Sequence, residues 1–101
     1  MKAYDVYIGY GDRPCHPLSF IHLEAFALGL GLTGLTYFDA RGVWVSPTGN
    51  IFQEPSRVFR FILLDTAIDP WSIRAFAAEA KKVLDQQVVL VTVTDVATYE
   101  V

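Results

Sequence analysis

The sequence predicts an α+β fold in which four antiparallel strands form one sheet and two helices cover one of its faces. Three patterns support this prediction: a strand-like alternation over residues 3–10, two segments with helical periodicity, and a long hairpin pattern over residues 36–64. Their order along the chain is that of a ferredoxin-like βαββαβ sandwich. A chain of 101 residues fits one domain, so we expect residues 1–101 to form a single unit.

The first strand is predicted over residues 3–10, where Tyr4, Val6 and Ile8 recur at every second position. A loop rich in Gly and Pro follows, and the first helix is expected from about Leu18 to Leu30. The apolar residues of this helix fall on two separate arcs. Because a helix that is apolar on two sides usually contacts two surfaces, we expect one arc to lie on the sheet. The other arc is available to a partner subunit.

Residues 36–64 are expected to form one long bent β-hairpin. Its tip combines a proline with Gly49, which together supply the fixed negative φ and the tolerance of positive φ that a tight turn requires. Halfway along, Pro55 cannot donate a ladder hydrogen bond, so the pairing is expected to break or bulge there, close to Gly42. The outer half of the hairpin, which carries Trp44, should then lean away from the sheet.

The second helix is expected to start at Asp69 and Pro70, with the aspartate as N-cap and the proline in the first helical position. Ile73 and Phe76 follow at helical spacing and belong to its apolar stripe. A run of β-branched residues over positions 87–94 then predicts the last strand.

The third strand, predicted over residues 57–64, is apolar on both faces. Because burying an unpaired arginine is costly, Arg60 should face outward, and Phe59 and Phe61 should then face the helices. The outward face would also carry apolar residues, which are Tyr7, Val58, Ile62, Leu64 and Leu90. Since two helices cover only one face, we expect a second copy to close the open face, or the face to line a cavity. The sequence therefore predicts a homodimer or another homo-oligomer.

Composition supports this prediction and argues against nucleic acid as a partner. Hydrophobic residues make up 52% of the chain and charged residues only 19%. This composition is apolar for a protein of this size, because a small protein has little interior in which to bury apolar side chains. The net charge is −3, and the eight Lys and Arg residues are scattered. An outward Arg60 also argues against an RNA-recognition domain, in which Phe59 and Phe61 would stack on bases.

The longest apolar run, residues 18–32, is short for a bilayer span and contains His22 and Glu24, so no membrane partner is expected. The sequence does not open on a basic segment followed by an apolar one, as a signal peptide would. A lone cysteine, Cys15, fits a reducing compartment. We therefore expect a cytoplasmic protein.

Four potential metal ligands, Asp12, Cys15, His16 and His22, lie within eleven positions. Their spacing matches no closed zinc pattern, so the sequence predicts no metal and no other cofactor. Cys15 and a nearby histidine have the residue types of a nucleophile and its base, but neighbours in sequence need not be neighbours in space. A buried or unreactive cysteine is the simpler interpretation.

Eight hairpin residues stand in the spacing T-x-x-D-x-x-G-x-W, then G, then E-x-S-x-V; they are Thr36, Asp39, Gly42, Trp44, Gly49, Glu54, Ser56 and Val58. In this motif the hairpin resembles a bacterial family known as a domain of unknown function. The resemblance implies the same ferredoxin-like layout and no assigned activity; many of the relatives look secreted. The carboxylate of Glu54 can accept hydrogen bonds from backbone amides of the hairpin, or form an ion pair with Arg41 or Arg57. A second interpretation of the motif is therefore structural: its residues shape the hairpin.

The leading hypothesis is a binding or interaction module that self-associates, with a site near the bent hairpin and the open sheet face. The candidate binding residues are Tyr7, Trp44, Arg57 and Arg60. Their rings suit stacking, and their guanidinium groups suit a small acidic ligand or a protein partner.

Two other hypotheses remain open. One is a small cofactor-free enzyme of the dimeric α+β barrel type, in which His16, His22 or Arg60 acts on an acidic substrate; it rests on analogy of fold. The other is a structural domain with no small ligand.

Overall fold

The computed structural model describes residues 1–10, 17–32, 34–64 and 70–101. In chain order its elements are β1 (Lys2–Gly9), α1 (Pro17–Gly29), β2 (Thr36–Val45), β3 (Ile51–Leu63), α2 (Trp71–Val83) and β4 (Leu90–Asp95). The strands form one antiparallel sheet in the order β2-β3-β1-β4. This arrangement confirms the ferredoxin-like prediction, with the first and third strands in the centre.

The core lies between the sheet and the two helices. Tyr4, Val6 and Ile8 from β1 are fully buried there, as are Phe59 and Phe61 from β3. The remaining core residues come mostly from the helices; they include Phe20, Leu23, Ala27, Ile73, Phe76 and Ala80. Edge-to-face contacts join Phe76 to both β3 phenylalanines, at centroid distances of 5.4 and 4.9 Å. The predicted strand register, with both phenylalanines inward, is confirmed.

Helix α1 buries one apolar arc and exposes the other. Phe20 and Leu23 are buried, whereas Leu18, Ile21 and Leu28 are exposed on the opposite side. The two predicted arcs are therefore present. Among the described helices, none is both long enough and apolar enough to cross a bilayer.

The start of α2 differs from the prediction by one residue. The carbonyl of Pro70 accepts the hydrogen bond from the amide of Arg74, and Pro70 has extended backbone angles (φ −67°, ψ 140°). A residue with those properties is the N-cap, so Trp71 is the first helical residue. Asp69, the predicted cap, lies outside the described residues.

The hairpin runs from Thr36 paired with Arg60 to Val45 paired with Ile51, in one uninterrupted register. Its tip turns at Gly49, whose φ of +87° favours glycine. Beyond the end of β1, the outer halves of β2 and β3 continue as a two-stranded ribbon, residues 41–45 and 51–55, which we call the outer ribbon.

The predicted break or bulge at Pro55 is wrong. Tyr10 donates its amide hydrogen to the carbonyl of Pro55 at 3.1 Å, so the polar backbone groups at this position point toward β1. Because N–H and C=O of one strand residue point to the same side, the hydrogen that proline lacks would also face β1. Pro55 therefore removes no hydrogen bond from the β2–β3 ladder. A bend of the hairpin stays a prediction.

Candidate functional site

The sheet face opposite the helices carries three cross-strand rows of side chains. Residues paired directly across an antiparallel ladder share one face, so the register assigns each row. The first row is Thr94, Ala3 and Ile62. The second is Thr92, Asp5, Arg60 and Thr36, and the third is Leu90, Tyr7, Val58 and Phe38.

Arg60 and Asp5 form a two-pronged ion pair at the centre of this face. Nε and Nη2 of Arg60 donate to the two carboxylate oxygens of Asp5 at 2.8 and 2.9 Å. The hydrogen bond to Asp5 raises the pKa of the Arg60 guanidinium, and the negative charge of Asp5 adds to the effect. Since Asp5 is 13% exposed and Arg60 45% exposed, the carboxylate anchors the arginine while its outer edge faces solvent. The pair is neutral as a whole, but it holds the guanidinium of Arg60 in a fixed position, 5.5 Å from the ring of Phe38.

Apolar side chains surround that centre. Tyr7, Phe38, Ile62 and Leu90 are exposed to between 37 and 58% on the open face. Val58, which lies between Tyr7 and Phe38, is only 1% exposed, so the chain covers this position by itself. The open face is thus partly sealed at Val58 and remains an exposed apolar surface elsewhere.

Arg57 lies on the other side of the sheet. Its Nε donates to Asp39 at 2.8 Å, and its guanidinium stands 4.2 Å from the ring of Phe20 and 4.3 Å from the ring of Tyr37. The hydrogen bond from Arg57 lowers the pKa of Asp39, and its positive charge acts in the same direction. The candidate residues Arg57 and Arg60 are therefore not brought together, because the sheet separates them.

Trp44 lies on the outer ribbon and stacks on Phe52, with ring centroids 4.7 Å apart and an interplanar angle of 20°. It shares the open face with Tyr7, but it lies six strand positions beyond Phe38. At about 3.3 Å per residue, that separation is about 20 Å. One copy of the chain therefore does not place Trp44 and Tyr7 around the same small ligand.

Between these aromatic groups the open face is lined by small residues, which are Gly9, Ala40, Gly42 and Ser56. The carboxylate of Glu54 lies directly over Gly9, so close that a Cβ at that position would overlap it. The sequence offered Glu54 three kinds of partner, which were hairpin backbone amides, Arg41 and Arg57; the structure pairs Arg57 with Asp39 instead. The sequence signal for this contact is the glycine that ends β1, because a side chain at that position would displace the carboxylate.

Of the residues of the enzyme hypothesis, the structure describes His22 and Arg60, and it places them on different layers of the fold. His22 is on α1 and lies 3.8 Å from Glu79 of α2, in the helix layer. Cys15 and His16 lie outside the described residues, as does Asp12. Within the described part of the chain, no group of three or more metal-ligating side chains is found.

No family model and no curated protein matches the chain. Among solved structures, a phage SAM lyase in complex with S-methyl-5′-thioadenosine superposes with a TM-score of 0.74 at 18% identity, covering 93% of this chain and 80% of the lyase. CutA from Archaeoglobus fulgidus gives 0.67 at 8% identity, with coverages of 99% and 88%. The B. subtilis GlnK–ATP complex gives 0.55 at 16% identity, with coverages of 93% and 84%.

These likenesses establish the ferredoxin-like fold. A protein of the DUF3240 family from Shewanella baltica shares it as well, with a TM-score of 0.50 at 10% identity, covering 99% of this chain and 94% of that one. A domain of unknown function is therefore among the structural neighbours. Membership of the family that the hairpin motif resembles stays a prediction.

Proposed function

We propose that this protein is a self-associating small-molecule-binding domain, in which copies pack through their open sheet faces. The observation that carries the proposal is the pairing of an exposed apolar surface with an anchored cation. Tyr7, Phe38 and Ile62 leave large apolar areas in solvent, and Arg60 is held in place among them by Asp5. A monomer seldom leaves such a surface uncovered.

Self-association also explains how the candidate residues act together. Trp44 lies on the outer ribbon, beyond the end of β1 in its own chain. A second copy packed against the open face can supply its Trp44 to the Tyr7 and Arg60 of the first. The ligand then binds between the two copies. Aromatic rings stack on its planar part, and Arg60 donates hydrogen bonds to its negatively charged group. Arg57 contributes from the opposite face by holding Asp39 and the base of the hairpin.

Adenosine-containing compounds are the ligand class that we propose. Two of the structural neighbours are complexes with such compounds, S-methyl-5′-thioadenosine and ATP. An adenine ring suits stacking on Tyr7 or Trp44. The carboxylate of Glu54, which lies over Gly9 on the open face, suits the hydroxyl groups of a ribose as hydrogen-bond donors.

Light scattering tests the association. The unaltered protein is expected to exceed the monomer mass, and Ile62→Lys, which places a charge on the open face, is expected to lower the mass. Trp71→Lys is the matched control, because Trp71 is an exposed apolar residue at the start of α2, on the side of the sheet opposite the open face. A strictly monomeric unaltered protein at high micromolar concentration contradicts the proposal, as does equal dissociation of both variants.

Binding is tested separately by calorimetry with S-methyl-5′-thioadenosine and with ATP. Arg60→Lys keeps the charge but loses the two-pronged bond to Asp5, so we expect it to weaken binding of the compound with the negative group. Absence of binding heat from the unaltered protein with both compounds would contradict the ligand class while leaving the association intact.

A second candidate function is lyase activity on S-adenosylmethionine. The observation in its favour is that the phage SAM lyase superposes with a higher TM-score than CutA or GlnK. Its test is the appearance of S-methyl-5′-thioadenosine when the protein is incubated with S-adenosylmethionine. Binding of S-methyl-5′-thioadenosine without turnover would leave the binding domain as the better description.

A further inference from the structure

A groove lies between α2 and β4. It has a volume of about 430 Å³ and lies at the edge of the sheet opposite the hairpin. Its floor is apolar and consists of Ile73, Ala77, Val89 and Val91, and its rim consists of Arg74, Ala78, Lys81, Gln87 and Val88. An apolar floor with a polar and basic rim suits an amphipathic side chain.

The groove runs beside the edge of β4. In the described sheet β4 has one neighbour, β1, and its other side is an open edge. The amide of Val96 donates to the carbonyl of Met1, so the even-numbered residues of this segment direct their backbone groups to β1. The odd-numbered ones, Val89, Val91 and Val93, therefore direct theirs to the open edge. The same three side chains pack against the core on the helix side.

Residues 96–101 continue beyond β4, and we call them the arm. The beginning of the arm is held by the Val96–Met1 hydrogen bond and by Thr98, whose hydroxyl lies 2.9 Å from the sulfur of Met1. After that point the arm exposes its apolar side chains. Tyr99 is 89% exposed and Val101 fully exposed. The chain therefore has an open strand edge at β4 and an exposed aromatic ring on the segment that follows it.

We propose that the arm of a second copy pairs with the open edge of β4 and places its Tyr99 in the groove. The arm of the same chain does not reach it, because Tyr99 lies ten residues beyond Val89 in a direction leading away. In an extended chain that separation is about 33 Å, at about 3.3 Å per residue. The exchange is reciprocal, so each copy gives one arm and accepts one, as in a twofold interface.

The alternation of side chains agrees with this pairing. In an arm that continues the alternation of β4, Tyr99 belongs with the odd-numbered residues, which face the helix side. Antiparallel pairing about Thr94 sets Tyr99 opposite Val89 of the other copy, with the backbone groups of both residues directed at each other. The tyrosine ring then covers the floor formed by Ile73 and Ala77, and its hydroxyl reaches the rim at Gln87 or Lys81.

A mixed cross-linking experiment tests the contact, in a Cys15→Ser background so that each protein has one thiol. Protein carrying Tyr99→Cys is mixed with protein carrying Val89→Cys and mildly oxidised. We expect a disulfide-linked heterodimer. The control replaces the second protein by one carrying Asn50→Cys, at the exposed hairpin tip. Equal yields in the two mixtures would overturn the proposal.

A second measurement does not depend on cysteine chemistry. Tyr99→Ser is expected to weaken association about tenfold, because buried aromatic anchors dominate such contacts. Trp71→Ser removes an aromatic ring that is 70% exposed outside the groove, and it is expected to have no effect. Ala78→Trp, which fills the groove from its exposed rim, should reproduce the loss. Equal effects of Tyr99→Ser and Trp71→Ser would contradict the arm contact.

This contact is separate from packing through the open face. Ile62→Lys disrupts the open face and leaves the arm, so dimers linked through Tyr99 are expected to persist in that variant. If Ile62→Lys lowers the mass and Tyr99→Ser does not, the arm proposal fails while the proposed function stands.

Discussion

Arg57 and Arg60 lie three residues apart on β3 and on opposite faces of the sheet, each bound to a different aspartate. Arg57 pairs with Asp39 on the helix side, and Arg60 pairs with Asp5 on the open side. An odd separation in a strand inverts the side on which a residue lies. The two arginines therefore have different roles, the first in holding the hairpin on the helix layer and the second in furnishing a cation to the open face.

The Asp5–Arg60 pair predicts an asymmetric response to truncation. Arg60→Ala leaves a carboxylate that is 13% exposed without its partner, whereas Asp5→Ala leaves an arginine that water can reach. Because an unpaired polar group costs more when it is buried, we expect Arg60→Ala to lower the free energy of unfolding about twice as much as Asp5→Ala. Urea unfolding at neutral pH and fixed protein concentration measures both. Equal losses would contradict the expectation that the less exposed carboxylate is the costlier group to leave unpaired.

The Asp39–Arg57 pair predicts a pH dependence in the acid range. The pKa of Asp39 is lowered in the folded protein, so its stabilisation is complete above the ordinary carboxyl pKa and is lost as the pH falls through the lowered value. Asp39 is 60% exposed and screened by solvent, so Asp39→Asn is expected to cost about 0.5 kcal/mol at pH 7 and nothing once the carboxyl is protonated. Urea midpoints measured from pH 7 to pH 2 test this. Glu100→Gln, at an exposed carboxylate, is the control.

The contact between Gly9 and Glu54 predicts coupling between two substitutions. A Cβ at position 9 overlaps the Glu54 carboxylate, which is the end of a flexible side chain and can move aside. Gly9→Ala is therefore expected to cost less than about 1 kcal/mol, and to cost nothing in a Glu54→Ala background. A double-mutant cycle by urea unfolding measures the coupling. Additive effects would show that Glu54 does not occupy the space over Gly9.

The ladder around Pro55 predicts which positions accept a second proline. In the outer part of β3, even-numbered residues direct their backbone N–H and C=O groups to β2. Odd-numbered residues direct theirs to the other side, where β1 has already ended at Gly9. Gln53→Pro is therefore expected to be tolerated, and Phe52→Pro to cost about 1–3 kcal/mol through an unsatisfied ladder carbonyl. Thermal unfolding compares the two. Similar losses would indicate that the outer ribbon does not keep this register.

Much of the fold follows from residue patterns alone. The cost of burying Arg60 was enough to orient β3 and to predict that Phe59 and Phe61 lie in the core. The same alternation predicts that Arg57 and Arg60 lie on opposite faces of the sheet. The sequence prediction nevertheless placed both arginines around one ligand. The effect of Pro55 could not be predicted, because it depends on which neighbour its backbone faces. The groove beside β4 depends on how α2 sits over the sheet edge, which no local pattern specifies.

The outer ribbon has a consequence for the motions of an isolated chain. Apart from the contacts of Glu54 and Pro55 with Gly9 and Tyr10, residues 41–45 and 51–55 pair with each other beyond the end of β1. Two strands alone are marginally stable in water, so this segment should open and reclose while the rest of the sheet stays intact. Its amide hydrogens should exchange with deuterium faster than those of β1. A slowing of that exchange at higher protein concentration would report that a neighbouring copy has closed over the ribbon.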